Sequence, residues 1–279
     1  MNPVFVRFDW ERRLARLALL LAFLLITAAP EARAVNPMQA STDSDDSSSF
    51  SLVFSDDFST DPNINGKWTI HRYRENRDNT EAFWDVTSQT MHLTKAFQYR
   101  AAAMFANYDL TATQWKASFR FKIGAFGGVN GGGDGLVFMF YKDKDAYGQP
   151  AYGTDMGFAI IDGGVIKGVD GYGLDFDNYD SGSCDPTSVS YVGVVQDEIC
   201  RSLAFAEDSR VGDKAWHTVD VRFKNGSLRV AIDGDTILSY KIPRIDYTFA
   251  GIGFGGGTGA AFEDNEIDDV QLWVLDGAN

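Results

Sequence analysis

The sequence predicts an all-β protein, an antiparallel sandwich, on three observations. Apolar residues recur with a period of two rather than 3.6. Two dipeptides that tolerate the positive φ angles of tight hairpin turns, Asn225-Gly226 and Asp233-Gly234, separate such stretches. Glycine reaches 28 of 279 residues, above the usual ~7%, which favours turns over helices. Hydrophobic residues make up 44% of the chain and aromatics 14%, enough for a sizeable core in one large or two small domains.

In chain order, Arg7, Arg12, Arg13 and Arg16 precede an apolar run over 17–29 and the small-residue pattern Ala32-Arg33-Ala34. This is the layout of an export signal over 1–34, cleaved after Ala34. The alternative, a membrane anchor, needs ~20 apolar residues where this run has about 13. Cleavage removes five bases and three acids and takes the net charge from −14 to −16. Such acidity repels phosphate backbones and anionic lipids, so nucleic acid and polybasic membrane docking are disfavoured as partners. Residues 35–50, including Ser44-Asp45-Asp46-Ser47-Ser48-Ser49, cannot bury apolar area and read as a flexible tether. No later linker or repeat interrupts the chain, which places one domain at 51–276.

Strands are predicted at 115–123, 136–141, 157–161, 172–177 and 189–195. Val219, Val221 and Phe223 then alternate with Asp220, Arg222 and Lys224, and Leu228, Val230 and Ile232 with Arg229, Ala231 and Asp233. With a third run over 236–242, the two turns make a three-strand meander. Final strands fall at 250–255 and 267–274. Many short strands with Gly-rich turns and no helical partner give a sandwich or a barrel, and the sandwich is preferred.

Export would place the two cysteines, Cys184 and Cys200, where disulfides persist, and their even count makes one bridge the natural pairing. A zinc site built on cysteine is not indicated, because none of His71, His92 and His217 has metal-ligand spacing to a cysteine. His217, beside Trp216 at a strand start, reads as a packed or surface histidine rather than a catalytic base.

The chemistry concentrates in the segment from Tyr172 to Pro186. On a strand, Leu174 and Phe176 face one way and Asp175 and Asp177 the other. A turn that brings Asp177, Asp180 and Asp185 together would raise their pKa values unless a cation neutralised them. Either a hard divalent ion, Ca²⁺ first, resolves this, or the segment is a solvated acidic loop. A second acid, Asp134, stands alone in Gly131-Gly132-Gly133-Asp134-Gly135 ahead of an apolar strand. Its carboxylate either accepts paired hydrogen bonds from a ligand's adjacent hydroxyls or caps a mobile turn.

These segments, with the Gly-rich run 251–259 and Asn265-Glu266-Ile267-Asp268-Asp269, resemble in order and spacing the legume-type (L-type) lectins of the concanavalin A-like family, in its bacterial and secretory-pathway branches. The likeness runs over nearly all of 52–275 and implies a jelly-roll β-sandwich that binds carbohydrate through one Ca²⁺. It implies Asp134 as acceptor of sugar hydroxyls, with Gly153, Ser181 and Gly257 also at the carbohydrate. Asp177, the Tyr179 carbonyl, Ser181 and Asp185 would hold the metal, and 257–264 would form a variable sugar-binding loop. Ser181 stands where the family has Asn, with Asn178 and Asp180 nearby as substitutes. The family's second, transition-metal site normally uses Glu and His; Asp175 and Ser190-Tyr191 stand there, so that site is expected to be absent or altered.

A glycosidase on the same sandwich would present Glu-x-Asp-x-Glu on one strand, and neither Glu266-Ile267-Asp268-Asp269 nor Asp175-Phe176-Asp177 fits. No Gly-x-Ser-x-Gly occurs. Gly251-x-Gly253-x-x-Gly256 matches a dinucleotide fingerprint as a string but lacks the following helix. Tyr147, Tyr152 and Trp84 are candidates to stack on sugars, with ordinary core or rim packing favoured for Trp84. The expected protein is therefore a secreted, extracellular or periplasmic, non-catalytic glycan binder, with a homodimer possible. A protein-binding adhesion or structural module on the same scaffold is the alternative, and a glycoside hydrolase a more distant one.

Overall fold

A computed structural model describes residues 49–74, 79–128, 131–143, 147–242 and 248–275. The expected export signal and the tether up to residue 48 lie outside the described residues. Described strands are β1 (Phe50–Asp56), β2 (Trp68–Arg72), β3 (Glu81–Asp85), β4 (Thr90–Thr94), β5 (Arg100–Ala106) and β6 (Trp115–Gly128). They continue with β7 (Gly135–Tyr141), β8 (Gln149–Pro150), β9 (Ala159–Asp162), β10 (Val165–Gly168), β11 (Gly171–Asp177) and β12 (Tyr191–Gln196). The last are β13 (Glu198–Glu207), β14 (His217–Lys224), β15 (Ser227–Ile232), β16 (Asp235–Lys241), β17 (Gly251–Thr258) and β18 (Ala261–Leu275). No α-helix occurs among the described residues, and none is long and apolar enough to cross a membrane.

The strands form an eight-stranded sheet in the order β16-β15-β14-β6-β18-β4-β3, with β1 also paired to β18, and a seven-stranded sheet in the order β13-β12-β11-β7-β17-β5-β2. A small third sheet, β10-β9-β8, packs against β2, β5 and β13 of the seven-stranded sheet. The predicted meander is present: β14 pairs β15 and β15 pairs β16, with Asn225 and Gly226 at φ 53° and 74° and Asp233 and Gly234 at 51° and 86°. Both turns therefore have the paired positive φ of a type I′ hairpin.

The main core lies between the two large sheets and is aromatic. Phe119 from β6 stacks on Phe138 from β7 at 5.2 Å between centroids and meets Phe254 from β17 edge-on at 4.9 Å. Trp115 stacks on Phe223 at 5.6 Å. Burial of such rings stabilises through apolar area, with about 0.5–1.5 kcal/mol more for each well-oriented pair. Leu174 and Phe176 join this core, as their alternation predicts. A second, smaller core on the other face of the seven-stranded sheet gathers Phe105, Val137, Met139, Met156 and Phe158. Tyr147 belongs to it: the ring packs on Phe105 at 4.6 Å and the hydroxyl bonds the Gly157 carbonyl, so this tyrosine is buried and does not offer a sugar-stacking face.

Five strands before residue 107 lie outside the predicted set, and so do β8, β10 and β13. β1 also begins at Phe50, one residue inside the expected tether. The 257–264 segment departs further: β17 and β18 run through it and leave only residues 259–260 between them. The expected variable loop is a two-residue connection that carries the chain from the seven-stranded sheet to the eight-stranded one, with Thr258 and Glu263 on either side of it buried.

Candidate functional site

Register brings the motifs together. β7 lies between β11 and β17, and its first residue, Gly135, pairs with Asp177 on one side and Gly257 on the other. Asp134, Asp177 and Gly257, far apart in sequence, thus share one end of the seven-stranded sheet. Asp134 follows a cis peptide, and its amide donates to the Gly257 carbonyl at 3.1 Å.

Glycines on β17 then admit the next layer. A Cβ on Gly255 would lie 2.5 Å from the Met156 carbonyl oxygen, and one on Gly257 would lie 2.8 Å from the Gly153 carbonyl oxygen. Without side chains there, the short 3-10 turn Gly153–Asp155 rests directly on the strand. Gly153 itself has φ +70°, a conformation that glycine adopts without strain. A Cβ on Gly153 would stand 3.9 Å from Asp134 Oδ2 and one on Gly259 3.2 Å from it. The Gly259 backbone thus faces the Asp134 carboxylate and lowers its pKa in part. Gly259 lies inside the segment expected to bind sugar, whereas Asp155 is a member of this site that sequence reading missed, since a residue in a short turn carries no periodic signal.

The loop after β11 supplies the remaining acids. Asp177 Oδ1 accepts from the Tyr179 amide at 2.7 Å, and the Ser181 amide donates to Asp185 Oδ2. Ser181 Oγ lies 3.1 Å from Thr154 Oγ1, which joins this loop to the Gly153 turn. The Tyr179 ring covers Gly133, where a Cβ would be 2.8 Å from its Cγ. The Tyr191 hydroxyl bonds Asp175 Oδ2 at 3.0 Å and Asp177 Oδ2 at 3.3 Å. A phenol therefore stands between the two carboxylates where the family's second metal site was considered. Cys184 and Cys200 form the expected disulfide, which ties the residue before Asp185 to β13.

The two residues near Ser181 that could substitute for the family's Asn are held by hydrogen bonds, though the Asn178 side-chain oxygen has no partner. The Asn178 amide donates to Glu263 Oε2 at 2.8 Å, and Asp180 Oδ1 accepts from the Gly182 amide at 2.9 Å, with Asp180 exposed. Trp84 donates Nε1–H to the Phe58 carbonyl at 2.8 Å and is half-buried packing, as favoured. Tyr152 is 38% exposed and packs against Tyr73 and Tyr99 at 4.7 and 5.6 Å.

The electrostatics of this pocket are one-sided. Burial, then Asp185 and Asp155, push the Asp134 carboxyl up to about 7. Burial raises Asp175 and Asp177 as well, with Asp175 and Asp185 adding repulsion at Asp177. Asp185 rises to about 6 and Glu263 to about 8, each by burial first. Asp134 Oδ2, Asp175 Oδ1, Asp185 Oδ1 and Glu263 Oε1 are buried without a hydrogen-bond partner. A set of hard oxygen donors with unmet acceptors and mutual repulsion fits a divalent cation of the Ca²⁺ type.

No protein-family profile matches the chain, and no curated protein matches it. Solved structures do. The exoplasmic/lumenal domain of VIP36 in its Ca²⁺/Man-bound form superposes with a TM-score of 0.58 at 18% identity, covering 76% of this chain and 85% of that one. The fold is that of the legume-type lectins. The lectin from Bauhinia forficata in complex with GalNAc shares this lectin fold at a TM-score of 0.58 and 18% identity, over 80% of this chain and 98% of that one. Peanut lectin with a 9mer peptide reaches a TM-score of 0.62 at 15% identity, over 81% and 98%. The resemblance read from Asp134, the acidic loop and the Gly-rich strand thus holds for the fold.

Proposed function

We propose that this chain is an exported, non-catalytic carbohydrate-binding protein whose loops are organised by one Ca²⁺. The observation that carries the reading is the convergence, at one sheet end, of Asp134, the Gly153 turn and the acidic loop 177–185. Asp177, the Tyr179 carbonyl, Ser181 and Asp185 would hold the ion, which when bound supplies the positive charge that lets these carboxylates remain ionised. Asp134 then accepts hydrogen bonds from two adjacent sugar hydroxyls, while the Gly153 amide donates to the same sugar. Gly257 holds the Asp134 backbone in place and does not itself need to touch ligand. Glycans are the proposed partners. Each site should bind modestly, because sugar hydroxyls exchange water for protein at small net gain, and multivalency would supply useful avidity.

A broad glycan array, run with calcium and again with chelator, tests the reading. Calcium-dependent binding to a defined sugar set, abolished by Asp134→Ala with the melting temperature little changed, is expected. Folded protein that is silent in both conditions would move the assignment to an adhesion module, a role favoured by Ser181 in place of Asn.

A further inference from the structure

A second group of ligand-type side chains lies on the other sheet, away from the proposed calcium loop. On β4, Met91 and Leu93 enter the main core, so His92 between them faces outward. On β18, Asn265 and Ile267 point inward, so Asp264 and Glu266 face outward beside it. A register shift between Asn265 and Glu266 sets Glu266 opposite His92. One ligand atom from each of His92, Asp264 and Glu266 lies within 4.8 Å of the other two.

The geometry differs from that of a histidine satisfied by acids. His217 shows the latter: Nδ1 lies 2.6 Å from Asp233 Oδ2 and Nε2 3.0 Å from Asp213 Oδ1, both hydrogen bonds. His92 Nδ1 instead stands 3.5 Å from Asp264 Oδ1 and Nε2 3.8 Å from Glu266 Oε2. The His92 side chain is 9% exposed, yet Nδ1 has no hydrogen-bond partner, and neither does Asp264 Oδ1 facing it. One imidazole nitrogen binds one ion, and here it is Nδ1: two donors bonded to one tetrahedral ion at about 2.1 Å each are separated by roughly 3.4 Å, close to the 3.5 Å between Nδ1 and Asp264 Oδ1, with Glu266 completing the group within 4.8 Å. Lys122 Nζ takes Glu266 Oε1 at 2.7 Å, and Thr90 Oγ1 lies 3.4 Å from Oε2, which orients the carboxylate toward the imidazole.

We propose that His92, Asp264 and Glu266 form a binding site for a divalent transition-metal ion of the Zn²⁺ class. One imidazole and two carboxylates suit a borderline ion better than Ca²⁺, which takes oxygen ligands. Asp264 is 23% exposed, so the fourth position opens to solvent on the outer face. The ion would clip β4 to β18 across the bulge.

Zn²⁺ competition against a chromophoric chelator, with the protein in excess calcium to saturate the acidic loop, measures this site directly. One equivalent of Zn²⁺ bound, with a rise in melting temperature, is expected. His92→Gln and the more exposed Asp264→Asn should each weaken binding by about 100-fold or more and abolish that rise, while His217→Gln leaves both unchanged. Absence of stoichiometric Zn²⁺ binding at micromolar concentration would overturn the proposal. Equal binding by the wild type and a folded Asp264→Asn or His92→Gln variant would also overturn it, as would loss on His217→Gln alone.

Discussion

Asp134 and His217 are both shifted up, with opposite consequences for charge: the carboxyl is pushed toward its neutral form and the imidazole toward its charged one. Asp134 is buried among backbone and other acids, so its carboxyl is driven up, and Oδ2 is left without a hydrogen-bond partner. At His217, burial alone would lower the pKa, but hydrogen bonds to Asp233 and Asp213 outweigh it and the net direction is up. Asp208 and Arg210 form a further ion pair close by, and Phe121 packs on the ring at 5.8 Å. The stabilisation from the raised imidazole is complete below the ordinary histidine pKa of about 6.5 and is lost as pH rises through the higher folded value. Asp213 and Asp233 are lowered, so their share is present above the ordinary carboxylate range and lost in acid. The melting-temperature gap between the wild type and His217→Gln should therefore be widest near pH 5–6 and narrow by about pH 9. A gap that widens with pH would show that the imidazole is neutral in the fold.

At the scale of elements, the glycines of β17 decide whether the ligand face exists. Gly255→Ala would place a Cβ 2.5 Å from the Met156 carbonyl oxygen and 2.9 Å from Val137 Cγ1. Backbone must move, and overpacking of this kind costs about 1–3 kcal/mol. The expected outcome is a lower melting temperature together with weakened glycan binding, because the displaced 3-10 turn carries Gly153. Gly148→Ala, which meets nothing within 4 Å, is the control and should leave both unchanged. The later strands were legible because their alternation is clean: β14 and β15 bury every second residue. β5 was not, since Arg100–Ala106 is buried on both faces and reads Ala-Ala-Ala at its start, which carries no period of two.

For the whole molecule, the disulfide and the proposed ion act on the same loop. The bridge closes a separation of 16 residues and stabilises by about 3 kcal/mol on the loop-entropy account. Calcium bound as proposed would add about 2.7 kcal/mol at a hundred times its Kd. Since Cys184 adjoins Asp185, replacing both cysteines by serine should lower the melting temperature and also shrink the further rise that calcium gives over chelator. An unchanged calcium increment would mean that the bridge stabilises the fold without positioning the ligands.

Sequence by itself determined the all-β class, the meander with its two type I′ turns, the split of Asp175 and Asp177 from the core-facing Leu174 and Phe176, the cysteine pairing and the lectin-type scaffold. Each of these follows from local rules of alternation, turn chemistry and count, or from motif order along the chain. Tertiary structure decided the rest. It made 257–264 a short crossing between the two large sheets, buried Tyr147, tied Asn178 to Glu263, and added Asp155 beside Asp134. It also set His92 against Asp264 and Glu266. The physical reason is register: hydrogen bonding between strands distant in sequence chooses which residues share a sheet end or face, and one strand's own pattern cannot specify its neighbour's alignment.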